Sequence, residues 1–156
     1  MKKLLIFISL MFCLNLFGQN KPNYPETKTG FKKVDLILPK IENQQDYKVE
    51  IKFSINYNVI ECANVSFGFN MKNLKTEYGI ANSRFPYYVI ENDIIEISEG
   101  LNSDCISKNK VNKKIFSSQN LLLEYQSYYA RPFYIPENWT LEYRIWKADD
   151  KFTSMN

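Results

Sequence analysis

Between Tyr47 and Ile55 the chain alternates apolar and polar residues without a break, with Tyr47, Val49, Ile51, Phe53 and Ile55 on one side and Lys48, Glu50, Lys52 and Ser54 on the other. Successive side chains of a strand point to opposite faces, so a period of two describes a strand with one face on a core and one in water. Trp139 to Lys147 repeats the pattern: Trp139, Leu141, Tyr143 and Ile145 oppose Thr140, Glu142, Arg144 and Trp146. Further strands are expected at Phe31 to Leu38, Asn58 to Cys62, Tyr87 to Ile97 and Leu121 to Tyr125, and no segment carries a helical period. Turn-forming residues gather at Gly79 to Pro86, Ser98 to Asp104 and Pro132 to Asn138, which read as exposed loops. The expected class is all-β. The chain contains no repeat and is of one-domain length.

The first residues bear on the compartment. Lys2 and Lys3 precede an apolar run from Leu4 to Phe17 that ends at Gly18 and Gln19, the pattern of a secretory signal peptide over residues 1–18. The remaining single domain, residues 19–156, is then periplasmic or secreted. Cleavage removes Cys13 and leaves Cys62 and Cys105, which an oxidising compartment joins in a disulfide. It also takes 20 Lys and Arg to 18 against 17 Asp and Glu, a net charge of +1. So neutral a chain has no electrostatic footprint for nucleic acid. The chain has no histidine, which excludes His-based triads, His metal sites and imidazole acid–base steps. No P-loop or metal-ligand cluster is present either, so no enzymatic activity, metal or cofactor is expected. Tyr87, Tyr88, Tyr125, Tyr128, Tyr129 and Tyr134 have two readings, a recognition face or sheet core with cross-strand pairs.

The segment Tyr143-Arg144-Ile145-Trp146-Lys147-Ala148-Asp149-Asp150 is similar to the C-terminal signature of the ecotin family, periplasmic serine-protease inhibitors of bacteria. A second match opens the mature chain, where Tyr24-Pro25 and, after a short spacer, Gly30 lead into a strand. Tyr87-Tyr88-Val89, the order of the two cysteines, and Leu123 to Asn138 with Pro136 after Tyr134 extend the resemblance over nearly the whole mature chain. The stretch between Cys62 and Cys105 is longer than the family's.

The resemblance implies an all-β, antiparallel β-sandwich or barrel-like domain that dimerises by exchanging C-terminal strands and clamps two protease molecules of the trypsin fold, those of trypsin-, chymotrypsin- or elastase-like specificity. A reactive loop enters the protease cleft in extended form, its backbone pairing with the enzyme while one side chain fills the specificity pocket. By the family's spacing to the second cysteine, that loop is Glu99, Gly100, Leu101, Asn102, Ser103 and Asp104, with Asn102 at the pocket position and Ser103 after the scissile bond. The family carries Met there, a long adaptable side chain, whereas Asn is short and polar. A shift of one residue presents Leu101 instead, and both registers stand. The resemblance also implies a secondary protease-binding patch from two loops, Ser83, Arg84, Phe85 and Pro86 with Glu124, Gln126, Tyr128 and Tyr129. Glu124 stands where the family has a basic residue. Dimerisation is expected along the last strand, through Tyr143 and Trp146, the latter on the opposite face. A second reading belongs to another class: a secreted β-sandwich module that binds a glycan or a surface protein through its tyrosines and no longer inhibits. Neither reading involves nucleic acid or a membrane.

Overall fold

A computed structural model of the protein describes residues 24–79, 85–101, 103–149 and 151–155. Among the described residues ten strands form two sheets: β1 (Phe31–Leu36), β2 (Tyr47–Ile60), β3 (Ala63–Gly68), β4 (Leu74–Tyr78), β5 (Pro86–Ile90), β6 (Glu96–Leu101), β7 (Lys110–Ser117), β8 (Leu121–Glu124), β9 (Arg131–Pro136) and β10 (Thr140–Lys147). Helical structure among the described residues is confined to two 3-10 turns, Gln44–Asp46 and Met71–Asn73. The smaller sheet runs β1-β9-β5-β4, the larger β10-β2-β7-β3-β6, with β8 also paired to β2.

The expected alternation becomes β2, the longest strand, where Val49, Ile51, Phe53 and Ile55 all face the core. They meet Tyr88, Ile90, Phe133 and Ile135 of the smaller sheet, with Phe67, Phe69 and Trp139 filling one end. Trp139 is 1% exposed, and its ring packs at 5.2–5.5 Å from Phe53, Phe67 and Phe69. β7 and β8 share one edge of β2, one along Ser54–Ile60 and the other along Lys48–Ile51. In the gap between them the Phe53 N–H donates to Ser117 Oγ at 3.1 Å, so a buried ladder donor keeps a partner.

Several expectations change. The sheets are mixed, since β3 and β7 run parallel, as do β5 and β9. Asn58 to Cys62 is the continuation of β2 into the turn that carries Cys62. Tyr87 to Ile97 divides into β5 and β6, which join different sheets. Asn92 explains the break: its Oδ1 accepts from Ile94 N at 3.2 Å and Asn73 Nδ2 at 3.1 Å, an Asx turn. Of Pro132 to Asn138 only Glu137 and Asn138 are an exposed turn; Pro132 to Pro136 belong to β9, all six residues of which are buried. Its prolines are tolerated because β5 pairs with β9 only at Phe133 and Tyr134, leaving Pro132 and Pro136 outside the doubly bonded stretch. Of the region expected as a loop at Ser98 to Asp104, the first half is strand, pairing with β3 through Ala63↔Leu101.

Candidate functional site

Three surfaces stand apart from the sandwich core. The first is β6 and the turn behind it. β6 is the last strand of the larger sheet, bonded to β3 on one edge and to no strand on the other among the described residues. Its register puts Glu99 opposite Val65, Gly100 opposite Asn64 and Leu101 opposite Ala63. All three are exposed, Leu101 at 61%. Ser103 and Asp104 then form a turn, Ser103 Oγ donating to Asp104 Oδ1 at 3.1 Å, and Cys105 closes the disulfide to Cys62 with a Cα–Cα distance of 5.5 Å. The Cys62 turn is itself tied to the chain after Cys105: Glu61 N donates to Asn109 O at 2.9 Å and Ser107 Oγ to Glu61 Oε2 at 3.3 Å. Glu99 to Leu101 are therefore held by β3, and Ser103 and Asp104 lead directly into the bridge. Asn102 lies outside the described residues.

The second surface is built where β8 and the loop after it approach β4, β5 and β9. Phe85 and Tyr129 have ring centroids 4.3 Å apart, and Tyr128 and Tyr129 5.7 Å. Pro86, Glu124, Gln126 and Tyr129 line a cleft of about 410 Å³ together with Tyr78, Tyr88, Leu122, Leu123 and Arg131. The two segments expected to form one patch thus meet, through Phe85 and Pro86 on one side and Glu124, Gln126, Tyr128 and Tyr129 on the other. Ser83 and Arg84 lie outside the described residues. The Glu124 carboxylate is paired with Lys48 across the strands, and Tyr129 donates its hydroxyl proton to Gln126 Oε1 at 2.5 Å. Burial pushes the Tyr88 hydroxyl above its usual value, so it stays protonated.

The third surface is β10, the opposite edge of the larger sheet, with β2 as its neighbour. Tyr143 and Ile145 share the core-side face with Leu141, yet they are 47% and 40% exposed. Trp146, on the other face, is 48% exposed rather than part of a second core. That face hides Glu50, which the alternation placed in water but which is only 4% exposed. Its carboxylate accepts from Arg144 Nε at 2.5 Å, Trp146 Nε1 at 2.7 Å and Asn120 Nδ2 at 2.8 Å. These donors, Arg144 foremost, hold its carboxyl down to about 2. Glu142 is also held below its ordinary value, chiefly by Lys114 and then by Ser54.

The tyrosines divide between the two readings. Tyr88, Tyr125 and Tyr134 are buried, whereas Tyr128 is 69% exposed and packs beside Tyr129 of the cleft. Sequence reasoning passed over Arg131, Tyr78 and the Glu50 cluster. For Arg131 a signal existed: it is the one charge in the otherwise uncharged run Tyr128 to Pro136, and a charge set in such a run is buried with it. For Glu50 none did, because Asn120 is brought beside it only by the pairing of β8 with β2.

No helix among the described residues is long and apolar enough to cross a membrane. Against known proteins, the family profile for ecotin matches residues 20–148. An ecotin-like protein of Methylobacillus flagellatus is 24% identical over 136 residues, which cover 86% of this chain and 80% of the relative. The ecotin of Serratia proteamaculans is 26% identical over 131 residues, 81% of this chain and 72% of the relative. With the β-sandwich and its Cys62–Cys105 bridge in place, and the profile spanning most of its length, this chain belongs to the ecotin family.

Proposed function

We propose that the chain is an exported, dimeric inhibitor of trypsin-fold serine proteases, that Glu99 to Asp104 is its substrate-like loop, and that residues 1–18 are the signal peptide removed on export. The observation that carries the proposal is the state of β6: an exposed strand whose outer edge pairs with no strand among the described residues, leading to a turn that a disulfide fastens to the body of the sandwich. Proteases read substrates as extended strands added to an edge, so a segment already extended and already fixed meets the enzyme without a large ordering cost. Fixing also defeats cleavage, because the two sides of a cut bond stay in place and religate. The chain supplies no chemistry; the protease supplies its own.

The sheet order supports the two-subunit arrangement. β6 and β10 are the opposite edges of one sheet, four strand spacings or about 19 Å apart, and the cleft beside β8 lies toward the β10 half. Pairing two copies along β10, where Tyr143, Ile145 and Trp146 are exposed, gives one protease access to the loop of one subunit and the tyrosine-rimmed patch of the other. Two weak sites on one rigid body raise each other's effective concentration, so a short Asn102 in the specificity pocket is tolerable.

The test is to titrate the mature protein into trypsin, chymotrypsin and elastase. Stoichiometric inhibition, lost in a variant carrying Leu101→Gly and Asn102→Gly, is the expected result. A protein that slows none of these enzymes at any concentration sinks the reading. The tyrosine-lined cleft favours the second reading, a binding module without inhibition; a glycan array that retains the protein while all three proteases run unhindered would select it.

A further inference from the structure

Two charged side chains are buried among the described residues, and they are treated very differently. Glu50 is surrounded by three donors. Arg131, 3% exposed at the start of β9, has no ion-pair partner among the described residues. Its guanidinium offers five N–H donors. One Nη2 proton goes to the backbone oxygen of Glu124, the Tyr129 ring lies 5.9 Å away, and Nε is buried without an acceptor. An arginine does not shed its charge, and a buried cation without a counter-ion is expensive. The carboxylate that lines the cleft, Glu124, is paired with Lys48.

Arg131 also lines the cleft of about 410 Å³, many times the share of one water. The cleft opens to the surface between Leu122 and Tyr78, which are 59% and 65% exposed, and Tyr128 stands exposed beside it. An unpaired cation at the base of a pocket with an aromatic and apolar rim is the arrangement of an interface anchor: the rim excludes water and the buried charge selects its complement.

We infer that this cleft receives an acidic side chain from the surface of the protein that the inhibitor clamps, with Arg131 taking the carboxylate and the tyrosine rim packing on its neighbours. This rests on the proposed inhibitor function for the partner's identity, but the chemistry of the cleft stands independently. A planar fork of donors matches a carboxylate bidentately, so glutamate or aspartate is selected over their amides.

The experiment uses the mature protein and two blocked tripeptides, acetyl-Leu-Glu-Leu-amide and acetyl-Leu-Gln-Leu-amide, with sodium acetate as the free-anion control. The Arg131 Nε–H resonance and the amides of Gln126 and Tyr129 are followed by NMR. The glutamate peptide is expected to shift them saturably, at least tenfold more tightly than the glutamine peptide or acetate, and Arg131→Gln or Arg131→Met should abolish the response while Arg144→Gln keeps it. Equal binding of both peptides, no response to either, or acetate binding as tightly as the glutamate peptide overturns the inference. The wild-type comparison decides even if both Arg131 variants fail to fold. No protease is present, so the two readings fail separately: glutamate-selective binding by a protein that inhibits nothing leaves the cleft and removes the inhibitor, and inhibition without glutamate selectivity does the reverse.

Discussion

Replacing both Cys62 and Cys105 by serine separates what the disulfide does for the fold from what it does for the loop. The bridge closes a sequence separation of 43 residues, and the chain-entropy relation for a loop of this length gives a stability loss of about 4 kcal/mol. The effect on inhibition has a different origin. Without the bridge, β6 stays paired with β3 up to Leu101, and Glu61 still holds Ser107 and Asn109. What is released is the short piece between these anchors. Re-ordering Ser103, Asp104 and Cys105 in a protease cleft costs about 1–1.5 kcal/mol of backbone entropy each, or roughly 3–4 kcal/mol together. The inhibition constant should therefore rise by about two to three orders of magnitude. Urea unfolding followed by tyrosine and tryptophan fluorescence measures the first quantity. Progress curves against an inhibited protease measure the second, at a temperature where the variant remains folded. A variant about 4 kcal/mol less stable by the chain-entropy relation with an unchanged inhibition constant would refute the claim that the bridge stiffens the loop.

Glu50 makes stability depend on acid. Its folded carboxyl, at about 2, lies below the ordinary 4.5, so its contribution is complete above 4.5 and is lost as the pH falls from there toward 2. Glu142 adds a loss of the same sign. Urea midpoints of Glu50→Gln should fall less steeply across this window than those of the wild type, and parallel slopes would rule Glu50 out as a source of the dependence. Trp139→Ala removes the ring that joins Phe53, Phe67 and Phe69 and should destabilise by about 3–5 kcal/mol in thermal or urea unfolding; a loss below 1 kcal/mol would mean the cavity collapses or the ring is not central. Tyr143→Asp with Ile145→Ser places polar groups on the exposed part of β10, and sedimentation velocity should show a monomer with unchanged far-UV circular dichroism. A dimer that survives both changes puts the interface elsewhere.

The strands that could be read in advance are those whose two faces have different surroundings. β2 alternates cleanly because its inward residues meet the smaller sheet while Lys48 and Lys52 meet water. β7 and β9 escaped for opposite reasons. In β7 only Ile115 and Ser117 are buried, and its lysines hide the period. In β9 every residue is buried, because the core covers one face and the Tyr24–Pro25 segment covers the other, where Tyr134 donates to Pro25 O at 2.7 Å. A strand covered on both faces has no alternation to read, and two prolines made it look like a loop. The bridge was legible because Cys62 and Cys105 are the two cysteines beyond the apolar N-terminal run. Glu50 and Arg131 were not, since the alternation says which face a side chain takes but not what long-range pairing sets over it.

The same pairing clarifies the choice between Leu101 and Asn102. Leu101 is the last residue that β3 holds, opposite Ala63, and Cys105 is the next point fixed by a covalent bond. In the proposed complex the strand thus fixes the chain on one side of the scissile region and the bridge on the other, and Asn102 falls in sequence between them. A poor pocket residue at that position weakens the loop as a self-sufficient inhibitor and raises the share of binding that a second contact has to supply. Arg131, which has no ion-pair partner among the described residues and whose Nε is buried without an acceptor, lines the tyrosine-rimmed cleft of the second surface with bonding capacity to give. If the two surfaces divide the work in this way, loop variants should shift affinity for all proteases alike. Arg131 variants should shift it only for proteases with an acidic side chain within reach of the cleft, so target preference would be set far from the bond that the protease tries to cut.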